Sequence, residues 1–267
     1  MSDILKDCKI GFVGAGMMAE VIMEGLASTG ARLMASDPDP ARQARAAGIS
    51  GVRVMPDNRA LVSAADLVIL AVKPQVAQAV LKEIGPVFEP GKTLLSIVAG
   101  LCMETMRRYL PPGVTMVRAM PNTPALIGAG ITGVAADEAD TSAGELARII
   151  LAPLGTVVEV SEHHLDAVTG LSGSGPAYVA LFTEALIEGG VKAGLGRAMA
   201  TELAVQTLLG TAKMLAGGVT PLSLRERVTS PGGTTAFGLY ALERGGVRAA
   251  IIDAVCDATS RAGELGG

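Results

Sequence analysis

Short apolar runs alternate with amphipathic stretches along residues 9–160 of the chain. The run D-L-V-I-L-A-V, from Asp66 to Val72, is typical of a parallel strand that is buried on both faces. Most such runs lead into a stretch of helical periodicity, with glycine or proline at the break. This alternation predicts a doubly wound α/β sheet of the Rossmann type, covered by helices on both faces.

The predicted strands are 9–13, 31–36, 52–55, 66–72, 93–98, 115–119, 131–136 and 156–160. The predicted helices between them are 18–28, 41–47, 58–64, with Asn58 as its cap, 75–84, 103–110 and 142–154. After residue 161 the pattern predicts helices alone, at 176–192, 197–215, 222–228, 235–243 and 247–265. The sequence therefore predicts two domains, a dinucleotide-binding domain at 1–161 and an all-helical domain at 162–267.

The first strand runs into a glycine turn, K-I-G-F-V-G-A-G-M-M-A. Gly14, Gly16 and Ala19 match G-x-G-x-x-G/A, in which the backbone of the turn approaches a pyrophosphate and the helix packs on the strand. The second strand ends at Asp37, 21 residues after Gly16, where a carboxylate can hold the adenosine ribose hydroxyls. Because the motif stands between a strand and a helix, it predicts a dinucleotide site rather than a glycine turn that binds nothing.

Composition and charge narrow the class of protein. The chain is 49% hydrophobic, but its longest uninterrupted apolar run covers only residues 67–72, too short to span a membrane. The apolar excess lies in aliphatic residues, which suits close helix packing and a subunit interface, so we expect an oligomer. The net charge of -4, with both signs interspersed, argues against a nucleic-acid partner.

Neither the 3 cysteines nor the 2 histidines are spaced as metal ligands, so no metal is expected. No apolar stretch precedes the first strand, which predicts no signal peptide and a cytoplasmic protein.

In doubly wound sheets, ligands bind outside the carboxyl ends of the strands. Gly14, Asp37, Val72-Lys73-Pro74, Ala99-Gly100 and Met120-Pro121-Asn122 all follow predicted strands and should therefore meet at one edge. Lys73 could act there as an acid or hold a phosphate. We favour a backbone contact to the cofactor, since no partner in the sequence would shift its pKa.

Two stretches of the helical part carry small and hydroxyl residues into a helix start, L-S-G-S-G-P-A-Y (171–178) and V-T-S-P-G-G-T-T (228–235). In the second, the N–H groups of Gly232, Gly233 and Thr234 come in succession before a helix, as in a backbone nest for a carboxylate. A plain turn between two helices explains the same residues equally well.

Five motifs in this order resemble pyrroline-5-carboxylate reductase over essentially the whole chain. They are G-F-V-G-A-G-M-M-A, A-V-K-P-Q, V-R-A-M-P-N-T-P-A, G-L-S-G-S-G-P-A-Y and V-T-S-P-G-G-T-T. The first is common to many nucleotide-binding enzymes, whereas S-P-G-G-T-T after G-S-G-P-A-Y is specific to this family. The resemblance implies reduction of Δ1-pyrroline-5-carboxylate to proline with NADPH or NADH, the last step of proline synthesis. It also implies a homodimer through the helical domain, which can assemble further into a decamer.

The resemblance also implies the site residues. Those for the cofactor would be Gly14, Ala15, Gly16, Met17, Met18, Ala19, Ser36, Asp37, Asn58, Ala71, Val72, Lys73, Pro74, Ile97, Val98 and Ala99. Those for the substrate would be Ser172, Gly232, Gly233, Thr234 and Thr235, with the Thr235 hydroxyl at the ring nitrogen as the catalytic contact. No metal takes part.

Two positions depart from the family pattern. Members that prefer NADPH often carry serine or asparagine where Asp37 stands, because a carboxylate repels a 2′-phosphate, although Ser36 and Arg42 could still receive one. NADPH is the expected cofactor and NADH is plausible. Arg227 stands where the family often has an amide, and no role is transferred to it.

Two other functions remain open from the sequence. A β-hydroxyacid dehydrogenase shares the fold but uses a lysine in the first helix of its second domain, where this chain has Ser172, Ser174 and Tyr178. A nucleotide-binding regulatory module without catalysis is the other.

Overall fold

The computed structural model describes residues 2–137 and 141–266. The strands are Lys9–Val13 (β1), Arg32–Ser36 (β2), Val52–Val54 (β3), Leu67–Leu70 (β4), Thr93–Ser96 (β5), Thr115–Met120 (β6), Gly130–Ala136 (β7) and Gly155–Glu159 (β8). The α-helices are Ser2–Leu5 (α1), Met17–Leu26 (α2), Pro40–Gly48 (α3), Asn58–Ala64 (α4), Pro74–Ile84 (α5), Met103–Arg107 (α6), Thr141–Leu151 (α7), Leu165–Val168 (α8), Gly175–Lys192 (α9), Arg197–Ala216 (α10), Pro221–Arg227 (α11), Thr234–Arg244 (α12) and Val247–Gly266 (α13).

The eight strands form one sheet in the order β3-β2-β1-β4-β5-β6-β7-β8. All neighbours are parallel except β6 and β7, which pair antiparallel. The order reverses between β1 and β4, and such a reversal opens a crevice at the carboxyl ends of the strands. The predicted doubly wound α/β fold is confirmed.

The central strands of the sheet are buried on both faces, and most of their residues are apolar. In β1 and β4, alternate residues point to opposite faces, with Phe12 and Ile69 on one and Val13 and Val68 on the other. Helices α2, α3 and α7 supply the core on the first face, whereas α4, α5 and α6 supply it on the second. This two-sided burial explains why the strands read as continuous apolar runs rather than alternating ones.

Two strands end two residues earlier than the apolar pattern predicts. β4 ends at Leu70 and β5 at Ser96, each two residues before the predicted end. In β5 the Ser96 hydroxyl accepts the N–H of Val98 at 3.3 Å, which takes that N–H out of the ladder. The residues after Ile97 therefore leave the ladder at the carboxyl edge of the sheet.

The predicted cap of α4 is wrong by one residue. Asp57, not Asn58, is the N-cap, and its carboxylate accepts the N–H of Ala60 at 2.7 Å. Asp57 has an extended backbone and directly precedes the helix. From this position a short acidic side chain can accept the free N–H groups of the first helical turn. Asn58 is the first helical residue, which leaves its amide available for other contacts.

Between β8 and α9 the chain makes three short helical turns that the sequence pattern does not resolve. A 3₁₀ turn, Glu162–His164, leads into α8 and then into a π-helical turn, Thr169–Gly173. Leu165 of α8 is buried in the core of the sheet, on the face of α4 to α6. These turns therefore pack as part of the sheet domain.

The chain separates into two compact units. One comprises the residues up to Ser174 together with those from Cys256 onward, and the other comprises Gly175–Val255. The first compact unit thus extends beyond residue 161, because α8 and the π-helical turn pack on the sheet. The division at residue 161 stays a prediction.

The helical unit, Gly175–Val255, keeps few of its apolar side chains from solvent. No residue of α9 is buried, and in α10 only Ala200 and Ala204 are. Leu181, Phe237 and Tyr240 are about two-thirds or more exposed, at 68%, 73% and 68%. Helices of this kind are stable when another surface covers them.

Among the described residues, no helix is both long enough and apolar enough to cross a membrane.

Candidate cofactor and substrate site

The turn between β1 and α2 begins with a left-handed glycine. Gly14 has a φ of +95°, a conformation that favours glycine. A Cβ at this position would lie 2.6 Å from the carbonyl oxygen of Ala71, which follows β4. Ala15 comes next and has no exposed surface. The turn is therefore packed tightly against the end of the neighbouring strand, as the glycine pattern predicts.

The amino end of α2 is open. Gly16 is its N-cap, with extended backbone and no side chain that could bond the first N–H groups of the helix. No atom lies within 4 Å of the place that a Cβ on Gly16 would take. The first N–H groups of a helix have no acceptor inside it and carry the positive end of its dipole. This arrangement suits the pyrophosphate of a dinucleotide.

The Asp37 carboxylate faces the backbone of the glycine turn. One oxygen accepts the N–H of Ala15 at 2.9 Å, and the other accepts the N–H of Asp39 at 2.9 Å. The Arg42 guanidinium lies 3.5 Å from the first oxygen, and the Asp37 side chain is only 3% exposed. The Asp37 carboxylate therefore holds the shape of the turn.

A cavity of about 940 Å³ lies at the carboxyl ends of β1, β2 and β4. Eleven of the predicted cofactor residues line it, namely Gly14, Gly16, Met17, Met18, Ala19, Ser36, Asp37, Asn58, Ala71, Val72 and Lys73. Five do not: Ala15, Pro74, Ile97, Val98 and Ala99. The structure thus brings residues that follow β1, β2 and β4 into one cavity, where the strand order reverses between β1 and β4.

Several lining residues were missed by the sequence analysis or named only in passing. Arg42, Gln43 and Arg45 of α3 line the cavity, and the Arg45 Nε donates to a carboxylate oxygen of Glu20 at 2.7 Å. The signal that could have found them is the basic stretch A-R-Q-A-R (41–45), which follows the second strand and the turn D-P-D-P. Arg42 and Arg45 give the α3 side of the cavity a positive charge, and they pair with Asp37 and Glu20 respectively.

A chain of polar side chains crosses the same end of the cavity. The Ser36 hydroxyl donates to the side-chain oxygen of Asn58, and the Asn58 amide nitrogen donates to Glu83 at 3.2 Å. These two hydrogen bonds can form because Asp57, and not Asn58, caps α4, so the Asn58 amide is available for them. Glu83 is a further lining residue that the sequence analysis missed.

The stretch V-T-S-P-G-G-T-T (228–235) contains the turn between α11 and α12 in the helical unit. Gly232 is left-handed, with a φ of +70°, and the N–H of Gly233 donates to the carbonyl of Ser230 at 3.0 Å. Gly233 is the N-cap of α12 and offers no side-chain cap. In the described part of the chain, the N–H groups of Thr234 and Thr235 have no protein acceptor. The turn therefore presents free donors at a helix start, whereas the N–H of Gly233 is used inside it.

Thr235 is the second residue of α12 and lies two residues after the N-cap, Gly233. Its hydroxyl is consequently not the helix cap, and the side chain is half-buried. Arg227 ends α11 and is exposed.

Ser172 lies in the π-helical turn of the sheet unit, where its hydroxyl donates to the carbonyl of Val168 at 2.9 Å. The described residues contain no group of three or more His, Cys, Asp or Glu side chains that could hold a metal ion.

Two family models match the chain. Residues 162–265 match the model described as pyrroline-5-carboxylate reductase dimerisation. Residues 9–100 match the model described as NADP oxidoreductase coenzyme F420-dependent. The two matches fall on the helical part and on the glycine-turn part of the chain.

Curated relatives and solved structures agree along the full length. The pyrroline-5-carboxylate reductase of Synechocystis sp. is 44% identical, with 97% of this chain and 98% of that protein covered. A solved pyrroline-5-carboxylate reductase from Coxiella burnetii is 36% identical with a TM-score of 0.89, covering 98% of this chain and 100% of its own. The Plasmodium falciparum pyrroline carboxylate reductase, solved with NADP bound, is 32% identical with a TM-score of 0.87 at the same coverage.

Proposed function

The chain belongs to the pyrroline-5-carboxylate reductase family, and from this premise we propose how its residues reduce Δ1-pyrroline-5-carboxylate to proline. The enzyme is an oxidoreductase that takes its hydride from NAD(P)H, and the reaction is the last step of proline biosynthesis. The full-length similarity at 44% identity carries this conclusion. It confirms the function that the five motifs predict.

The activity is tested by following the absorbance of the reduced cofactor after mixing the protein with pyrroline-5-carboxylate. A β-keto acid in place of the imine serves as the control substrate, since it would be reduced by a β-hydroxyacid dehydrogenase. Oxidation of the cofactor with the imine alone is expected. Oxidation with the keto acid alone would assign the dehydrogenase function, and none with either would leave a binding module.

For the cofactor, we assign the pyrophosphate to the amino end of α2 and the adenosine ribose to the Ser36, Asp37 and Asn58 end of the cavity. The open space beside Gly16 and the free N–H groups of α2 fit a diphosphate. Lys73, the N-cap of α5, lines the cavity beside Ala71 and Val72. We assign it a backbone contact, and assign Pro74 and Ile97 to Ala99 the path toward the nicotinamide. The bound cofactor supplies hydride from C4 of its nicotinamide.

Asp37→Ser is expected to raise the preference for NADPH over NADH. Coulomb repulsion between a carboxylate and a 2′-phosphate is on the order of 1 kcal/mol with solvent screening, a change of about fivefold in the ratio of kcat/KM values. Asp37→Asn is the matched variant, because it removes the charge but keeps an acceptor for the N–H of Ala15. Both ratios are measured by initial rates with each cofactor. An unchanged ratio in both variants would show that Asp37 does not stand at the ribose.

For the substrate, we propose that the free N–H groups of the Gly232–Thr235 turn bind the carboxylate and that the Thr235 hydroxyl bonds the ring nitrogen. Ser172 is the further proposed substrate contact. A cyclic imine protonated at nitrogen is already an electrophile, so orientation and exclusion of water suffice without a dedicated acid or base. A helix start with unpaired N–H groups recognises a carboxylate without a cationic side chain.

The family's helical domain supports oligomerisation. We propose a homodimer that forms through the exposed apolar faces of α9 and α10, and the assembly of five such dimers into a decamer. The absence of buried residues along α9 supports the choice of this surface. A cytoplasmic location is proposed with it, in keeping with a biosynthetic enzyme.

Leu181→Glu and Leu203→Glu are each expected to dissociate the oligomer. These side chains are 68% and 53% exposed in the single chain, and burying an unpaired carboxylate at an interface costs several kcal/mol. Ile4→Glu is the control, since Ile4 is an exposed apolar residue of the sheet unit, at 60%. Sedimentation velocity measures the mass of each variant. A full-sized oligomer in both leucine variants would place the interface elsewhere.

A further inference from the structure

A single side chain joins the π-helical turn, Thr169–Gly173, to the carboxyl edge of the sheet. The Asn122 amide nitrogen donates to the carbonyl of Ser172 at 3.1 Å, and its oxygen accepts the N–H of Ile131 at 2.9 Å. Asn122 lies two residues after the end of β6, and Ile131 belongs to β7. The amide therefore connects two strands and the turn in one bridge.

The carbonyl of Ser172 needs a donor from outside its own helix. In a regular α-helix that carbonyl would accept the N–H four residues later, but residue 176 is Pro176, which has none. An asparagine amide can donate at one end and accept at the other, as this position requires. Aspartate at neutral pH could accept from Ile131 but could not donate to Ser172. The chemistry of the two neighbours thus selects an amide here.

The turn lies close against β6. A Cβ on Gly173 would come within 2.8 Å of the terminal methyl group of Met120, the last residue of that strand. The π-helical bond itself runs from the N–H of Ser174 to the carbonyl of Thr169 at 2.8 Å. β6 is the neighbour of β5, so the turn stands at the same edge of the sheet as the residues that follow β5. Such widened turns are common at functional sites.

We propose that Asn122 is a positioning residue for the reductase, because its amide fixes the turn that carries Ser172. The proposal rests on the proposed function, in which Ser172 contacts the substrate. In this proposal Asn122 acts through the turn and not through a contact of its own with cofactor or substrate. Loss of the donor leaves the Ser172 carbonyl without its partner, so the turn shifts from β6 and Ser172 moves with it. The reaction then slows through poorer orientation of the imine, while cofactor binding is preserved.

The test compares Asn122→Asp with Thr29→Val. The first keeps the acceptor for Ile131 and removes only the donor to Ser172. The second removes a matched two-way bridge at the opposite edge of the sheet, where the Thr29 hydroxyl donates to Leu26 at 2.7 Å and accepts from Ala31 at 3.4 Å. Thermal unfolding, hydrogen exchange of residues 169–174, and kcat and KM for both substrates are measured on the full-length protein.

Both variants should lose a similar amount of thermal stability. Asn122→Asp alone should lower kcat by ~10-fold or more and speed exchange of the Ser174 amide, with KM for NADPH within about twofold of the wild type. Unchanged exchange in the turn, or a loss of kcat no larger than in Thr29→Val, would overturn the proposal. A wild-type protein without activity on the imine would instead refute the proposed function, and the exchange data would still decide whether Asn122 fixes the turn.

Discussion

Gly16→Ala is expected to weaken NADPH binding by ~10-fold or more without destabilising the free protein. The free structure has room for a Cβ at Gly16, since no atom lies within 4 Å of that position. The φ of Gly16 is -77°, which alanine adopts without strain. The added methyl group would instead occupy the space that a pyrophosphate needs at the amino end of α2. The cost therefore appears only when the cofactor binds.

Gly14→Ala is the contrasting variant. Its φ of +95° and the Ala71 carbonyl oxygen 2.6 Å from the new Cβ act in the free protein, so unfolding free energy should fall by about 3 kcal/mol. Cofactor binding should be lost as well, because the turn must move.

Fluorescence titration with NADPH and thermal unfolding without cofactor separate the two variants. Gly48→Ala, at a helix end with open space around it, is the control and should bind NADPH normally. Normal binding by folded Gly16→Ala would remove the amino end of α2 from the pyrophosphate site.

Thr235→Ala is expected to lower kcat/KM for pyrroline-5-carboxylate by ~10-fold or more while the protein stays folded. The lost hydrogen bond matters most in the transition state, where the ring nitrogen changes its charge. A capping role would predict a different result, a loss of ~1 kcal/mol in stability with activity retained. The structure already places Gly233, not Thr235, at the N-cap of α12.

The same helical unit offers a matched control for capping. Thr220 is the N-cap of α11, and its hydroxyl accepts the N–H of Ser223 at 3.2 Å. Thr220→Ala should lower the melting temperature and leave kcat/KM for the folded enzyme unchanged. Thr235→Ser should retain most activity because it keeps the hydroxyl. Full activity of folded Thr235→Ala would leave the backbone of the turn as the substrate anchor.

The architecture of the sheet domain and the position of the cavity at its carboxyl edge could be predicted from the sequence alone. β4 is apolar at every position because both faces of the sheet are covered, and that pattern is visible without coordinates. Parallel strands bring their carboxyl ends to one edge, so Gly14, Asp37 and Lys73 could be assigned to one cavity from their positions after strands.

Which polar groups are free to bind a ligand could be read only from the three-dimensional arrangement of their neighbours. The Asp37 carboxylate accepts the N–H groups of Ala15 and Asp39. The Asn58 amide is available for other contacts because Asp57 caps α4. Asn122 bonds Ser172, 50 residues later. Side-chain hydrogen bonds of this kind join residues far apart in sequence and depend on distances within a few tenths of an ångström. Hydrophobic periodicity carries no information about them, because it records which face of an element is buried and not which neighbour a polar atom meets there.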